Sequence, residues 1–198
     1  MPRSKEAFEA MRDATRQKIE TATLSLVARK GISVTIEEIA KYAGVSKGLL
    51  YNHYSSKEAL LAELAQQASM KLRQSMSEIS EHPTPAIEKI KQVTTKMCDM
   101  LSSSDNRGAD YFMFMAQVGM SGFPVQKLVY DTMTLPHSNE ILAQMIATGQ
   151  SEGSIVEGDP AQLAMTYWAT IQGLCCHLVT GASLKVEPSM LLRILVKG

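Results

Sequence analysis

The residues best suited to chemistry lie close together in one short stretch. Ser46, Lys47, Gly48, Tyr51 and Asn52 are all small, cationic or hydrogen-bonding. Hydroxyls and a lysine in one window suit phosphate oxygens, and an amide suits a base edge, so the chemistry they offer is recognition of duplex DNA. Catalysis has no comparable signal. The four histidines (His53, His82, His137 and His177) are scattered. No HExxH, GxSxG, phosphate-binding loop or dinucleotide fingerprint occurs, so an enzyme is not expected. Cys175-Cys176-His177 could suggest metal binding or redox sensing. On a helix, however, consecutive side chains point about 100° apart and cannot converge on one ion. The third cysteine, Cys98, is remote in sequence and no CxxC occurs, so no metal site, disulfide or cofactor is expected.

The elements that must hold the polar stretch can be read from their caps. Thr35-Ile-Glu-Glu38 has the form of a capping box, with the threonine hydroxyl and the Glu38 carboxylate closing a helix start reciprocally. That helix is short and ends near Ala43-Gly44, and Gly44 supplies a turn residue for which positive φ is cheap. Ser46 caps a second short helix, expected to run to about Tyr54. Ile36, Ile39, Val45 and Leu50 form the apolar seam between the two, and Ala40 is small where they pack. Two short helices joined by a glycine-containing turn make a helix-turn-helix, which presents its second helix to a major groove. A plain helical hairpin with the same polar residues would share the spacing.

Flanking residues extend the pattern. The stretch Ile19-Glu-Thr-Ala-Thr-Leu-Ser-Leu-Val-Ala-Arg-Lys-Gly31, followed by Thr35 to Leu60 through Ala-Gly-Val-Ser-Lys-Gly-Leu-Leu-Tyr-Asn-His-Tyr54, resembles the DNA-binding signature of the TetR family of transcriptional regulators. The likeness covers about residues 15–64, with Tyr54 standing where phenylalanine is more usual. It implies an all-α protein: an N-terminal three-helix head (residues 1–56) that binds operator DNA, and a C-terminal helical bundle (57–198) that binds a small-molecule effector and forms a homodimer. The residues expected at DNA are Thr35, Ser46, Lys47, Gly48, Tyr51, Asn52, His53 and Lys57. The roles of Tyr51 and His53 at phosphates come from the resemblance. Thr35 caps a helix start that suits an anion, Lys47 is the charged group nearest the start of the second helix, and Lys57 opens the long helix that follows.

The remainder reads as helix with polar breaks. Ser55 or Ser56 starts a long helix on the stripe Leu61, Leu64, Ala65, Ala68, Leu72, Met76 and Ile79, spanning roughly 35 Å at about 1.5 Å per residue. His82-Pro-Thr-Pro85 breaks the chain, and Ile87, Ile90, Val93, Met97 and Met100 carry the next helix. Asp110 to Gly119 is apolar and Met-rich, with breaks at Gly122 and Pro124 and again at Pro136. Glu140 to Gln150 is helical. Asp159 caps a helix that Pro160 opens and that reaches about Thr180. A last helix starts near Pro188.

Nine of the thirteen methionines follow residue 90, and Met suits a cavity that adapts to its ligand as well as an irregular core. An apolar effector pocket is expected between Phe112, Met115, Met165 and Trp168, with Gln172 or His177 orienting the ligand. Because few charges lie in 111–129 or 161–179, the ligand is expected to be apolar or aromatic. The helix from Ala161 to Val179 is apolar nearly all round, which calls for burial on two sides and hence a partner subunit, with Gly173 permitting a close crossing.

Charge and hydropathy are consistent with this reading. Twenty Lys/Arg balance twenty Asp/Glu overall, but residues 1–60 carry ten against seven, which favours a negatively charged partner at the front end. The longest apolar run, Tyr111 to Ala116, is far too short to cross a bilayer. With no signal-peptide pattern at the start, a cytoplasmic protein without membrane contact is expected.

Overall fold

The computed structural model describes residues 5–103, 107–120, 135–182 and 184–197, and within them the architecture is helical. Helix α1 (Lys5–Lys30) buries only its second half, from Ile19 onward. Gly31 ends it in the left-handed region at φ 77°, with its amide donating to the Val27 carbonyl. Helix α2 (Ile36–Ala43) then packs on α1, and α3 (Lys47–Tyr51) packs on α2. The second helix is shorter than its sequence suggests. Tyr54 turns inward to burial, and the amides of His53 and Tyr54 close on the Leu50 carbonyl at 2.9 and 3.0 Å.

Helix α4 (Lys57–Glu81) starts at Ser56, whose hydroxyl accepts from the Ala59 amide. It belongs to both halves of the molecule. Leu60, Leu61, Leu64, Ala65 and Ala68 join the core of the head, and Met76 and Ile79 join the core of the body. The body continues with α5 (Ala86–Leu101), α6 (Arg107–Met120), α7 (Leu135–Ser151), α8 (Pro160–Val179) and α9 (Pro188–Leu192). Helix α7 begins before the expected Glu140. Pro136 falls within the described helix and does not interrupt it. The breaks expected at Gly122 and Pro124 lie outside the described residues.

Two apolar clusters organise these helices. The head cluster gathers Ile19, Leu26, Ile39, Leu50 and Tyr54 with α4, but also takes Phe114, Met115 and Val118 from α6. A division at residue 56 therefore cuts through a continuous core. The body cluster centres on Ile90, Leu142, Ile146, Tyr167 and Ile171. A buried polar relay within it runs from the Tyr167 hydroxyl, which donates to Thr94 Oγ1 at 2.9 Å, and on to the Ile90 carbonyl at 2.8 Å. Burial raises the Tyr167 phenol to about 12, so it remains a neutral donor. An isolated antiparallel bridge, Ile155 to Val196, ties the α7–α8 loop to the last residues.

Candidate DNA interface and effector cavity

The polar stretch is held by a short chain of local devices. Thr35 Oγ1 accepts from the Glu38 amide at 3.2 Å, and the Thr35 amide donates back to Glu38 Oε2 at 2.9 Å, which completes the capping box. The Thr35 amide first, and then Lys30, which donates to Glu38 Oε1 at 2.9 Å, hold the Glu38 carboxyl down to about 2. Gly44 adopts φ 68° and donates to carbonyls at the end of α2, turning the chain into Ser46. Ser46 Oγ accepts from the Leu49 amide at 3.1 Å, which leaves its own proton to donate outward. Leu50 is fully buried, so the remainder of α3 faces solvent: Ser46, Lys47, Gly48, Tyr51 and Asn52 are all exposed. A Cβ placed on Gly48 meets nothing within 4 Å. The fold itself does not require glycine there.

Besides Thr35 and Ser46 in their caps, Lys47 and Lys57 have partners within the chain, and His53 is partly covered. Lys47 pairs with Glu37 and lies 5.9 Å from the Tyr51 ring centroid. Exposed ion pairs of this kind contribute at most about 1 kcal/mol, so a phosphate can replace Glu37 at little cost. His53 is half-buried; burial first, then Arg12 and Arg16, lower its pKa, which favours the neutral imidazole. Lys57 is spent differently from expectation. Its ammonium donates to the Ile32 carbonyl at 2.9 Å and ties the start of α4 to the α1–α2 loop, a contact for which the sequence gives no signal.

A charged cluster behind the interface was also absent from the sequence reading. Arg16 bonds Glu20 at 2.9 Å, pairs with Glu63 of α4 and stacks 5.7 Å from the Tyr54 ring centroid. The Tyr54 hydroxyl donates to Glu20 at 2.9 Å. The extra hydroxyl at Tyr54 thus joins α1 to the end of α3. Only the Arg16–Glu20 spacing of four residues could have been read in advance.

The six residues expected to line an effector pocket do not come together within the chain. Met115 is buried in the head cluster. Met165 is 64% exposed, and Gln172 and His177 are also at the surface of α8. Trp168 is partly buried and stands edge-on to Tyr167 at 5.5 Å. Phe112 lines a cavity of about 660 Å³ between α1, α4, α5 and α6, together with Leu24, Leu72, Met97 and Met100. The pattern of apolar positions on α6 could not fix this, because consecutive residues of that helix serve different cores. Helix α8 buries Ala164, Tyr167, Ile171 and Cys175, and exposes Ala161, Met165, Ala169, Gln172, Gly173 and Cys176. A Cβ on Gly173 meets nothing within the chain.

Residues 19–64, which hold this interface, match the family profile of bacterial regulatory proteins of the TetR family. Over these residues the chain is similar to the DNA-binding region of TetR-family regulators. Relatives include an HTH-type transcriptional regulator of Bacillus subtilis, YvaF, at 33% identity over 39% of the chain and 41% of the relative. The chain thus spans less than half of that relative's length. SrpR, an HTH-type transcriptional regulator of Pseudomonas putida, is 28% identical over 74% of the chain and 67% of its own length. Among solved structures, the regulator FadR of Bacillus subtilis in complex with stearoyl-CoA superposes with a TM-score of 0.67. That match covers 90% of this chain and 95% of FadR at 21% identity, a likeness of fold.

Proposed function

We propose that the protein is a homodimeric repressor whose heads bind a near-palindromic operator and whose body releases it on binding a small effector. The observation that carries this is the exposed surface of α3, polar and cationic around a fully buried Leu50. Two such helices related by a two-fold axis would reach successive major grooves, with half-sites about 34–36 Å apart or more. Such a protein acts in the cytoplasm, where chromosomal DNA lies. No described helix is long and apolar enough to cross a membrane.

Duplexes selected from a random library supply the test. Wild type should enrich a near-palindrome with strongly salt-dependent binding. Lys47→Ala and Tyr51→Ala should each weaken the selected duplex roughly tenfold, since a base or phosphate contact is worth about 1–3 kcal/mol, and leave the melting temperature unchanged. Equal binding by both variants would remove α3 as the recognition helix.

The dimer is supported by the small and apolar residues exposed along one face of α8, spaced as a helix stripe from Ala161 to Cys176. Gly173→Leu should then shift sedimentation from dimer toward monomer or aggregate. An unaffected dimer would place the contact elsewhere. For effector response, the support is the cavity beside α4, the helix shared by both cores. A ligand can shift the spacing of the heads only by binding one arrangement more tightly than the other.

A further inference from the structure

The cavity lined by Phe112 has a neighbour. A second space, of about 760 Å³, opens between α1, the end of α2, α4 and α6. Its walls include Gln17, Thr21, Tyr42 and Gln67, so it is the more polar of the two. Leu24, Lys71, Arg107 and Tyr111 border both spaces. Each volume is in the range of a small-molecule site. Tyr111 is fixed at the junction by its hydroxyl, which donates to the Ala68 carbonyl of α4. At the far end of the apolar chamber, Gly108 brings α6 against the backbone of α5, where a Cβ would come within 2.2 Å of the Met100 carbonyl oxygen.

The charges around this pair of chambers are unequal. Lys18, Lys71, Lys96 and Arg107 border them, against Glu20 and Asp99. Glu20 is already occupied, accepting from Arg16 Nε and the Tyr54 hydroxyl. Lys71, at the junction, has neither a hydrogen bond nor an ion pair among the described residues, and Lys96 reaches only Ser75 Oγ at 3.3 Å. Cations beside a low-dielectric wall concentrate a field that favours an anion.

We propose that the two chambers form one ligand site for an anionic amphiphile, with its apolar chain among Leu72, Met97, Met100 and Phe112 and its charged head group at Lys71 and Arg107. This rests on the effector-responsive reading above and replaces the uncharged ligand expected from sequence. That expectation considered the charges of α6 and α8, whereas the cations arrive from α1, α4, α5 and the first residue of α6. A carboxylate and a phosphate would satisfy the same lysine, and the experiment separates them.

Equilibrium dialysis of the full chain would compare four twelve-carbon probes below their micelle concentrations: dodecanoate, dodecyl phosphate, dodecan-1-ol and dodecyltrimethylammonium. At least one of the two anions should bind tenfold or more tightly than the alcohol, and the cation should bind worst. The tighter anion identifies the head group. Lys71→Gln should bring the preferred anion to within about threefold of the alcohol, Lys71→Arg should restore it, and Lys91→Gln, a lysine remote from both chambers, should change nothing. Phe112→Trp should weaken the anions and the alcohol alike, with its melting temperature checking that the fold survives. Equal binding of anions and alcohol, an unchanged anion affinity in Lys71→Gln, or binding of none of the probes by wild type would each overturn the proposal. Duplex binding is measured separately. Operator bound with no probe taken up removes the ligand site and spares the regulator, and an anion bound without any effect on duplex binding does the reverse.

Discussion

The head and the body are both helical, yet they are held by interactions of different range. In the head, each stop and start is made by a neighbour in sequence: Thr35 with Glu38, Gly44 with the end of α2, Ser46 with Leu49, Ser56 with Ala59. In the body, Asp159 caps α8 locally by accepting from the Gln162 amide at 2.8 Å, but other such jobs are done across the fold. Helix α5 has no side-chain cap of its own, and its first amide, at Ala86, donates instead to the Glu152 carboxylate at 2.9 Å, from the end of α7. The junction of α5 and α6 depends on Gly108 touching the backbone of Met100. Local devices set the ends of the helices that carry the recognition surface, although the core beneath them is completed by α6. Long-range ones make a body whose helices can only move together.

Gly108→Ala is the harshest way to break this contrast. The added methyl meets backbone, which cannot rotate away, so stability should fall by roughly 1–3 kcal/mol as in other overpacked sites. Chemical denaturation measures it. Gly48→Ala, where the space is open, should cost only tenths of a kcal/mol or even stabilise α3, since alanine is the better helix former. If the two variants melt alike, the close approach of α6 to α5 is not a constraint.

A smaller effect sharpens the comparison. Thr35→Ala and Glu152→Gln each weaken one cap, at about 0.5–2 kcal/mol for the first and less for the second, because an amide oxygen still accepts. Hydrogen exchange should report the loss from Thr35→Ala at the amides of α2. Glu152→Gln should loosen the start of α5 and the end of α7 together. Exchange confined to α5 alone would show that the cap is not a tie between helices.

The smallest expected effect is one of pH. Glu38 is held well below its ordinary 4.5, first by the Thr35 amide and then by Lys30. A depressed carboxylate contributes stability that is fully present above the unfolded value and is lost as pH falls through the folded one. The stability difference between wild type and Glu38→Gln should therefore shrink between about pH 4.5 and pH 2 and stay flat above it. A difference that persists at pH 2 would remove the ionised Glu38 as its source.

This difference in range also decides what could be read from sequence. The capping box, the Gly31 and Gly44 termini, the Ser46 cap and the stripe of α4 are all spelled within a few residues, and the structure has them as expected. Lys57 defeated the same reading, because its partner is a carbonyl 25 residues away. Met115 and Phe112 lie three residues apart on α6, yet one fills the head and the other borders the ligand chamber. Composition marks both as apolar and cannot say which core receives them. The cations of the chamber were invisible for a similar reason, since Lys18, Lys71 and Lys96 come from three different helices.

Phe114, Met115 and Val118 of α6 complete the core of the head, and this bears on how such chains could be recombined. A head transplanted onto another member's body at residue 56 would arrive with an unfilled socket, facing a foreign helix in place of the three side chains it was shaped around. Recognition specificity and effector specificity are thus not freely interchangeable cassettes. A working hybrid would have to carry the matching face of α6 along with the donor's reading helix, or accept a loose hinge where a signal needs a stiff one.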